Sequence, residues 1–508
     1  MFRFRKWFRY TSLVTGGVIL LEVLRQNDWD VGQIGLVRFG RAATTVAQIA
    51  IDYKLSLVMD PNSDEYQDVL SDVHWRSARK LLDLCCVNGG VFIKVGQHIG
   101  ALEYLLPYEY VTTMKVLHSS APKSALKDIL RVIREDLKEK AENIFMTFER
   151  EPLGAASLAQ VHKATLTDGT VVAVKVQHPH VLSHSYIDIK TMELLINIIS
   201  YIFPEFKFMW LAEESKKNLP LELQFLLEGK NAENVAKRFQ KYQWLKIPKI
   251  YWKFSTNRVL TMEYCEGGQI NDHNYMINHD IDTNLLSKRL GLLYSDMIFV
   301  EGFVHCDPHP GNLLIEPTTK GPQIILLDHG LYQTLSEDFR MKYCNLWLAL
   351  ISANVERIKQ ASGALGVHEF YGLLAAMVAA RSWSSIQHGI EKKKLTATET
   401  DDIRKNAARF FPKITQVLDS VPREMILIFK TNDLLRGIEY SLKRSPGTTF
   451  VPMTQLCLKA SYLRELNSCD STYCRFKIVS VYMWTQFRVA FYNVLLQIWN
   501  YFHQQNVL

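Results

Sequence analysis

Apolar residues recur at three- and four-residue intervals through the first part of the chain, which predicts mostly helical structure from about Trp29 to Met146. Val69, Val73, Leu81 and Leu84 fall on one such face, and Ala125, Ile129, Ile133 and Leu137 on another; Pro61 and Pro107 mark the breaks. The period then changes. Pro152 to Val161 follows neither period and reads as a loop, while Thr170 to Val176 is a β-branched run after an Asp168-Gly169 turn, which predicts a hairpin. Val181 to Phe203 and Leu221 to Phe239 return to helical spacing. Val259 to Tyr264 predicts a strand ending in the polar Cys265-Glu266-Gly267-Gly268, and Leu285 to Val300 predicts a helix. After a polar loop, Ile324 to Leu327 predicts a short strand, and Glu337 to about Leu442 predicts helices throughout. No repeat at solenoid or propeller period and no low-complexity tract interrupts the pattern.

Composition excludes wholesale disorder, because 48% of the 508 residues are hydrophobic and 22% are charged. The net charge of +7 is spread along the chain except at Arg3, Arg5, Lys6 and Arg9, which points to an anionic membrane or ATP and gives no argument for nucleic acid. The eight cysteines lack C-x-x-C spacing, so neither a zinc site nor a disulfide framework is expected, and Cys85 and Cys86 read as small core residues. The first segment, basic and aromatic and free of acids until Glu22, has the composition of a mitochondrial targeting sequence; a secretory signal shares the basic start but would need a small-x-small cleavage site. Ile478 to Phe502 is long enough to cross a bilayer. However, Gln486, Arg488, Asn493 and Gln497 would sit at mid-depth, which favours an interfacial or domain-packed helix.

The candidate chemistry lies in Val304-His305-Cys306-Asp307-Pro308-His309-Pro310-Gly311-Asn312 and in Leu327-Asp328-His329-Gly330. In a kinase catalytic loop an aspartate positions the acceptor hydroxyl and an asparagine five residues later holds magnesium; Asp307 and Asn312 have that spacing. Asp328, at the end of the next apolar run, sits where a second metal aspartate belongs. The plain alternative is that both acids cap turns. Val172-Ala173-Val174-Lys175 matches the strand that brings a lysine to the α- and β-phosphates, and Glu228 is the natural helical carboxylate to hold it. The 53 residues from Lys175 to Glu228 require inserted helices. Where glycines would cradle phosphate, the chain has Gly154-Ala155-Ala156-Ser157, and alanines define such a loop more tightly than glycines. Farther upstream, Lys94 and Gln97 of Phe92-Ile93-Lys94-Val95-Gly96-Gln97-His98 read by spacing alone as a solvated helix face.

Together these residues resemble the UbiB, or AarF-domain, family of atypical kinases, over roughly Val31 to Glu439. The resemblance implies an α+β, protein-kinase-like fold of two lobes, a small β-containing N-lobe and a helical C-lobe, with an N-terminal helical extension and inserted helices. It divides the chain into a targeting segment (1–28), a helical extension carrying K-x-G-Q (29–146), an N-lobe with a helical insertion (147–267), a C-lobe (268–445) and a C-terminal helical segment (446–508). It places Lys94 and Gln97 over the site where a peptide would enter, which reverses the solvated-face reading. It puts Met262 at a gatekeeper position and the Glu263 and Cys265 backbones against adenine. It implies ATP or ADP with magnesium, ATPase or small-molecule kinase activity, and a role tied to mitochondrial lipids or ubiquinone at a membrane. The family's E-x-D appears here as Glu222-Leu223-Gln224, an amide where an anion is usual, which puts its part in holding Lys94 or a metal in doubt. His305 is expected to pack against the Asp328 loop rather than act as a base.

Three functions compete on these residues. One is a mitochondrial, lipid-responsive ATPase or small-molecule kinase. A conventional protein kinase is the second, and the third is a nucleotide-gated scaffold for mitochondrial membrane proteins, favoured by Gln224 and the aromatic C-terminus.

Overall fold

Val172, Val174 and Val176 alternate with Ala173 and Lys175 along one strand, and that alternation decides which face of the first sheet becomes core. In the computed structural model, which describes residues 24–25, 30–60, 63–102, 106–118, 122–204, 209–388, 413–442, 450–469, 471–484 and 486–487, the described chain forms two compact units. One gathers the residues up to Ala101, Leu106 to Leu227 and Ile250 to Tyr264. The other gathers Leu102, Glu228 to Lys249 and the residues from Cys265 onward.

The first unit opens with helices α1 (Gly35–Ser56), α2 (Asp64–Asn88), α3 (Val91–Gly100), α4 (Tyr108–Met114) and α5 (Leu126–Leu137), followed by the single turn α6 (Ala141–Ile144). Strands β1 (Phe145–Phe148), β2 (Gly154–Ala155), β3 (Ala159–Leu166) and β4 (Val171–Gln177) follow. The antiparallel sheet is ordered β1-β3-β4-β6, with β6 spanning Val259–Glu263 and β2 paired to β3. Ile129, Val132 and Ile133 of α5 pack on Val172, Val174, Val176 and Val259, so the apolar stripe seen in the sequence becomes the cover of one sheet face. Each such fully buried aliphatic side chain contributes about 1.5–3 kcal/mol.

The inserted helices required by the Lys175 to Glu228 separation are α7 (Val181–Ile202) and α8 (Met209–Glu222). The predicted helix over Leu221 to Phe239 is interrupted: α8 stops at Glu222 and α9 (Phe225–Arg238) starts afresh. The break has a cause, because the Leu223 carbonyl accepts from Gln177 Nε2 at 2.8 Å and the Phe225 amide donates to Asn257, which takes both groups out of a helical ladder. Arg38 of α1 reaches Asp188 of α7 (Nε to Oδ1 2.9 Å) and the carbonyl of Asn88, all deeply buried. This ties the N-terminal helices to the insertion.

In the second unit, β5 (Leu245–Lys246), β7 (Gly268–Gln269), β9 (Leu313–Glu316) and β10 (Gln323–Leu326) form a sheet ordered β5-β10-β9-β7, and β8 (Phe303–His305) pairs with β11 (Tyr332–Thr334). The remainder is helical: α10 (His273–Asn278), α11 (Thr283–Ser295), α12 (Glu337–Ile351), α13 (Val355–Ala364), α14 (Tyr371–Ala379), α15 (Trp383–His388), α16 (413–420), α17 (Arg423–Ser441) and α18 (Phe450–Asn467). The predicted Leu285 to Val300 helix loosens into a π-helical turn at Asp296–Glu301, where the buried Asp296 carboxylate accepts from Tyr242 (2.8 Å) and pairs with Lys241. Cys469 and Cys474 are joined in a disulfide, one local pair where no disulfide framework is expected; their x4 spacing is not one that signals metal binding or redox chemistry.

Among the described residues no helix is long and apolar enough to cross a membrane. Most of the expected targeting segment, and all but the first residues of Ile478 to Phe502, lie outside the described residues.

Truncating Ile133 to Ala should destabilise the chain by about 2–4 kcal/mol, read as a lowered denaturant midpoint at unchanged slope. Arg38→Met, which strands the buried Asp188, should cost about 3–5 kcal/mol and the Arg38→Met/Asp188→Leu double variant clearly less; equal losses in the two would sink the ion-pair account.

Candidate functional site

A short hairpin and a second antiparallel strand pair set the polar groups of the second unit. Strands β9 and β10 pair Leu313 with Leu326, and one step farther out the Leu327 amide donates to the Asn312 carbonyl at 3.0 Å. Asn312 and Asp328 therefore sit side by side at the open end of that hairpin. Strands β8 and β11 pair His305 with Tyr332, and the Cys306 amide donates to Leu331, which brings the Asp307 loop against the Asp328 loop. Asn312 Nδ2 donates to the Asp307 carbonyl at 3.1 Å, so its amide oxygen is the atom able to meet a cation. Asp328 Oδ1 accepts from the Gly330 amide at 2.8 Å.

These are hard oxygen donors of the kind magnesium takes. Among the described residues no three His, Cys, Asp or Glu side chains gather as a metal site, so an ion at Asp328 and Asn312 would complete its shell with water or phosphate oxygens. His305 is fully buried and its Nδ1 meets the Tyr294 hydroxyl at 2.8 Å. Burial pushes its pKa down to about 4, against the opposing pull of Asp307 and Asp328, so the ring is neutral near pH 7 and packs rather than carries charge. His329 bonds Tyr332 (2.9 Å) and the Leu326 carbonyl (3.0 Å), fixing the chain after Asp328.

One contact of this loop comes from far along the chain. Lys430 of α17, 4% exposed, places its Nζ 2.9 Å from Asp307 Oδ1. The spacing of the catalytic-loop motif carries no trace of it. A lysine closing the apolar run Met425-Ile426-Leu427-Ile428-Phe429 is the signal that could have found it, since a lysine buried in such company needs an anion.

In the first unit Lys175 lies on the β4 face opposite the α5 core, opposite Val161 on β3 and Leu260 on β6, with Nζ 5.2 Å from the centre of the Phe225 ring. Met262 is buried on β6 opposite Ala173, and Glu263 lies opposite Val172. The boundary between the two units falls between Tyr264 and Cys265. Glu228 and Cys265 are both buried and belong to the second unit.

The alanine-rich segment is a closed turn: Gly154 and Ala155 pair with Val161 and Gln160, and the Ala156 amide donates to Ala159. His178 Nε2 donates to the Ala156 carbonyl at 2.9 Å, and its Nδ1 accepts from Ser124. Gln160 accepts from the Ser124 amide and donates to His162 Nε2, whose Nδ1 then donates to the Glu149 carbonyl. Ser157 is buried. Gly154 has an ordinary φ and open space where a Cβ would stand, so it does not by itself make the turn special.

The K-x-G-Q segment is not a solvated face. Lys94 pairs with Glu222 at 2.6 Å, both largely buried, and Gln97 Nε2 donates to the Leu117 carbonyl while its own carbonyl meets His118. Spacing failed here because α3 is packed on several sides: Phe92, Ile93 and Gly96 are buried with it. At Gly96 a Cβ would stand 2.3 Å from Leu117 Cδ1, so the motif's glycine is a close-approach residue. Gln224, the departure from the acidic motif, is exposed and donates to the Pro220 carbonyl at 3.0 Å; Lys94 is held by Glu222 and loses nothing to the amide.

The ABC1 atypical kinase-like domain matches residues 116–362. The AarF domain-containing protein kinase 1 of Gallus gallus is 53% identical over 471 residues, covering 92% of this chain and 91% of that protein. The chain belongs to the ABC1 atypical kinase-like family. The Xenopus tropicalis protein of the same name is 51% identical over 96% of this chain and 93% of its own length, and AarF domain-containing kinase 1 of Drosophila melanogaster is 49% identical over 94% of each. The ABC1 domain match takes in Lys175, Glu222, Glu228, Asp307, Asn312 and Asp328, whereas Lys94 precedes it and Lys430 follows it.

Gly96→Ala should destabilise by about 1–3 kcal/mol through the clash with Leu117, and in thermal unfolding the Gly96→Ala/Leu117→Ala double variant should lose less than the sum of the two single losses. The depressed pKa of His305 means that between about 4 and 6.5 the unfolded chain binds the extra proton. Its contribution, about 3 kcal/mol, is complete above pH 6.5 and lost as pH falls towards 4; His305→Asn should flatten that slope in urea titrations.

Proposed function

We propose that the chain is an ATP-dependent atypical kinase-like enzyme, an ATPase or small-molecule phosphotransferase, acting in mitochondria at a lipid surface and tied to lipid or ubiquinone homeostasis. The observation that carries this reading is the gathering of Asp307, Asn312 and Asp328 by the β9–β10 hairpin and the β8–β11 strand pair, in the order and spacing of a phosphotransfer loop.

Asp328 and Asn312 are assigned magnesium, which when bound neutralises charge on the phosphates. Lys175 is assigned the α- and β-phosphates, with Glu228 as the carboxylate that orients it. Asp307 orients the acceptor hydroxyl or water and takes its proton as the bond to phosphorus forms and the bond to the departing ADP oxygen breaks. Neutral, buried His305 holds the loop rather than exchanging protons. Met262 and the backbones of Glu263 and Cys265 are assigned the adenine, and the Gly154–Ser157 turn, closed by His178, the phosphate side.

The Lys94–Glu222 pair and the Gln97 contacts support a K-x-G-Q helix that is a fixed part of its unit, in keeping with a small acceptor rather than a protein. The scaffold alternative loses one support, because Gln224 is not what holds Lys94. The mitochondrial assignment rests on the composition of the first 28 residues and the lipid assignment on the family resemblance.

Purified full-length chain should bind Mg-ATP and Mg-ADP and release phosphate, faster on vesicles containing anionic lipid. Asp328→Asn should cut hydrolysis at least about 100-fold while the protein still melts cooperatively. Hydrolysis unchanged by Asp328→Asn, or no nucleotide binding by the wild type, overturns the reading.

A further inference from the structure

Sites that move a phosphoryl group clamp it with cationic side chains as well as metal. The loop from Cys306 to Asn312 contains neither lysine nor arginine. Its one extra basic ring, His309, caps the Pro310–Asn312 turn, with Nδ1 accepting from the Gly311 amide at 3.1 Å. The cation beside Asp307 comes instead from α17, where Lys430 is 4% exposed while the Asp307 side chain is 19% exposed. The ammonium thus lies beside a partly open carboxylate, and among the described residues Asp307 is the anion paired with it.

Burial of such a pair is poor evidence of stabilisation, because desolvation of both ions offsets their attraction. Helix α17 has other anchors: Asn432 Nδ2 donates to the Tyr343 hydroxyl at 3.0 Å, Arg436 pairs with Asp433 at 3.0 Å, and Met425, Leu427 and Ile428 are core. A leucine or methionine at 430 would suit that core. The lysine is explained by what it faces.

We propose that Lys430 is the phosphate-facing cation of the Asp307 loop: in the resting chain it is the counter-ion of Asp307, and with nucleotide bound its three donors are shared between Asp307 and the terminal phosphate. It holds Asp307 aimed, and it neutralises charge on the non-bridging oxygens of the transferred phosphoryl group as the bond to the acceptor oxygen forms and the bond to the ADP oxygen breaks. This rests on the phosphotransfer reading above. Lys430 lies 68 residues beyond the end of the matched ABC1 domain, so that comparison assigns it no role.

The test uses the full chain carrying Lys430→Met, Lys430→Arg, Asp307→Asn, or Lys430→Met with Asp307→Asn. Kd values are measured for Mg-ADP and Mg-ATP, together with single-turnover phosphate release. Lys430→Met should bind Mg-ADP within about threefold of wild type, bind Mg-ATP about tenfold more weakly and hydrolyse it about 100-fold more slowly, while Lys430→Arg keeps the wild-type preference for ATP over ADP. If Lys430→Met does not melt cooperatively, the charge-neutral double variant replaces it. Read against Asp307→Asn alone, it should again lose the ATP preference about tenfold. An ATP-to-ADP ratio and a hydrolysis rate within about threefold of the reference protein in either comparison overturn the assignment of Lys430 alone. A wild type that binds neither nucleotide overturns the function and this inference with it.

Discussion

An ammonium group taken out of water must find an anion within hydrogen-bonding distance, and Lys94 meets that condition through Glu222. The first unit is arranged around this pair. Helix α3 must lie against the end of α8, and Gly96 lets Leu117 approach where any side chain would hold it off. Gln97 then fastens the turn at Lys115–His118. Arg38 and Asp188 repeat the device between α1 and α7. Neither pair need add much stability, since desolvation offsets attraction. What each does is forbid arrangements in which one partner is buried alone.

The second unit applies the same rule to chemistry. Asp307, Asn312 and Asp328 stand at the ends of strands only three or four residues long, too short to hold position by ladder hydrogen bonds alone. Side-chain ties supply the rest: Asn312 to the Asp307 carbonyl, Asp328 to the Gly330 amide, His329 to Leu326 and Tyr332, and Tyr294 to His305. Because His305 and His329 are buried among aromatic rings, they act as rigid struts. Asp307 is left as a partly open carboxylate paired with a buried amine.

Much of this was legible in the residue pattern. The α5 stripe, the β3–β4 hairpin, the first of the two inserted helices and the short strand before Asp328 follow from periodicity and turn residues, and the motif spacing singled out Asp307, Asn312, Asp328 and Lys175. The misses share a cause. The Leu221 to Phe239 helix broke because a side chain on β4 claimed the Leu223 carbonyl. The solvated reading of Lys94 failed because a helix packed on several sides has no solvent face for periodicity to report. Gln224 appeared as a defect in an acidic motif, yet it bonds within its own turn.

The sequence alone determined which residue types lie next to one another and at what period, and therefore the helices, the hairpins, the catalytic-loop spacing and the resemblance those motifs carry. Only the tertiary structure decided which charges meet, because an ion pair depends on distance in space and the chain reports distance along itself. Lys94 and Glu222, Arg38 and Asp188, and Asp307 and Lys430 are each more than 100 residues apart, and each pair is fixed by packing that no local pattern encodes.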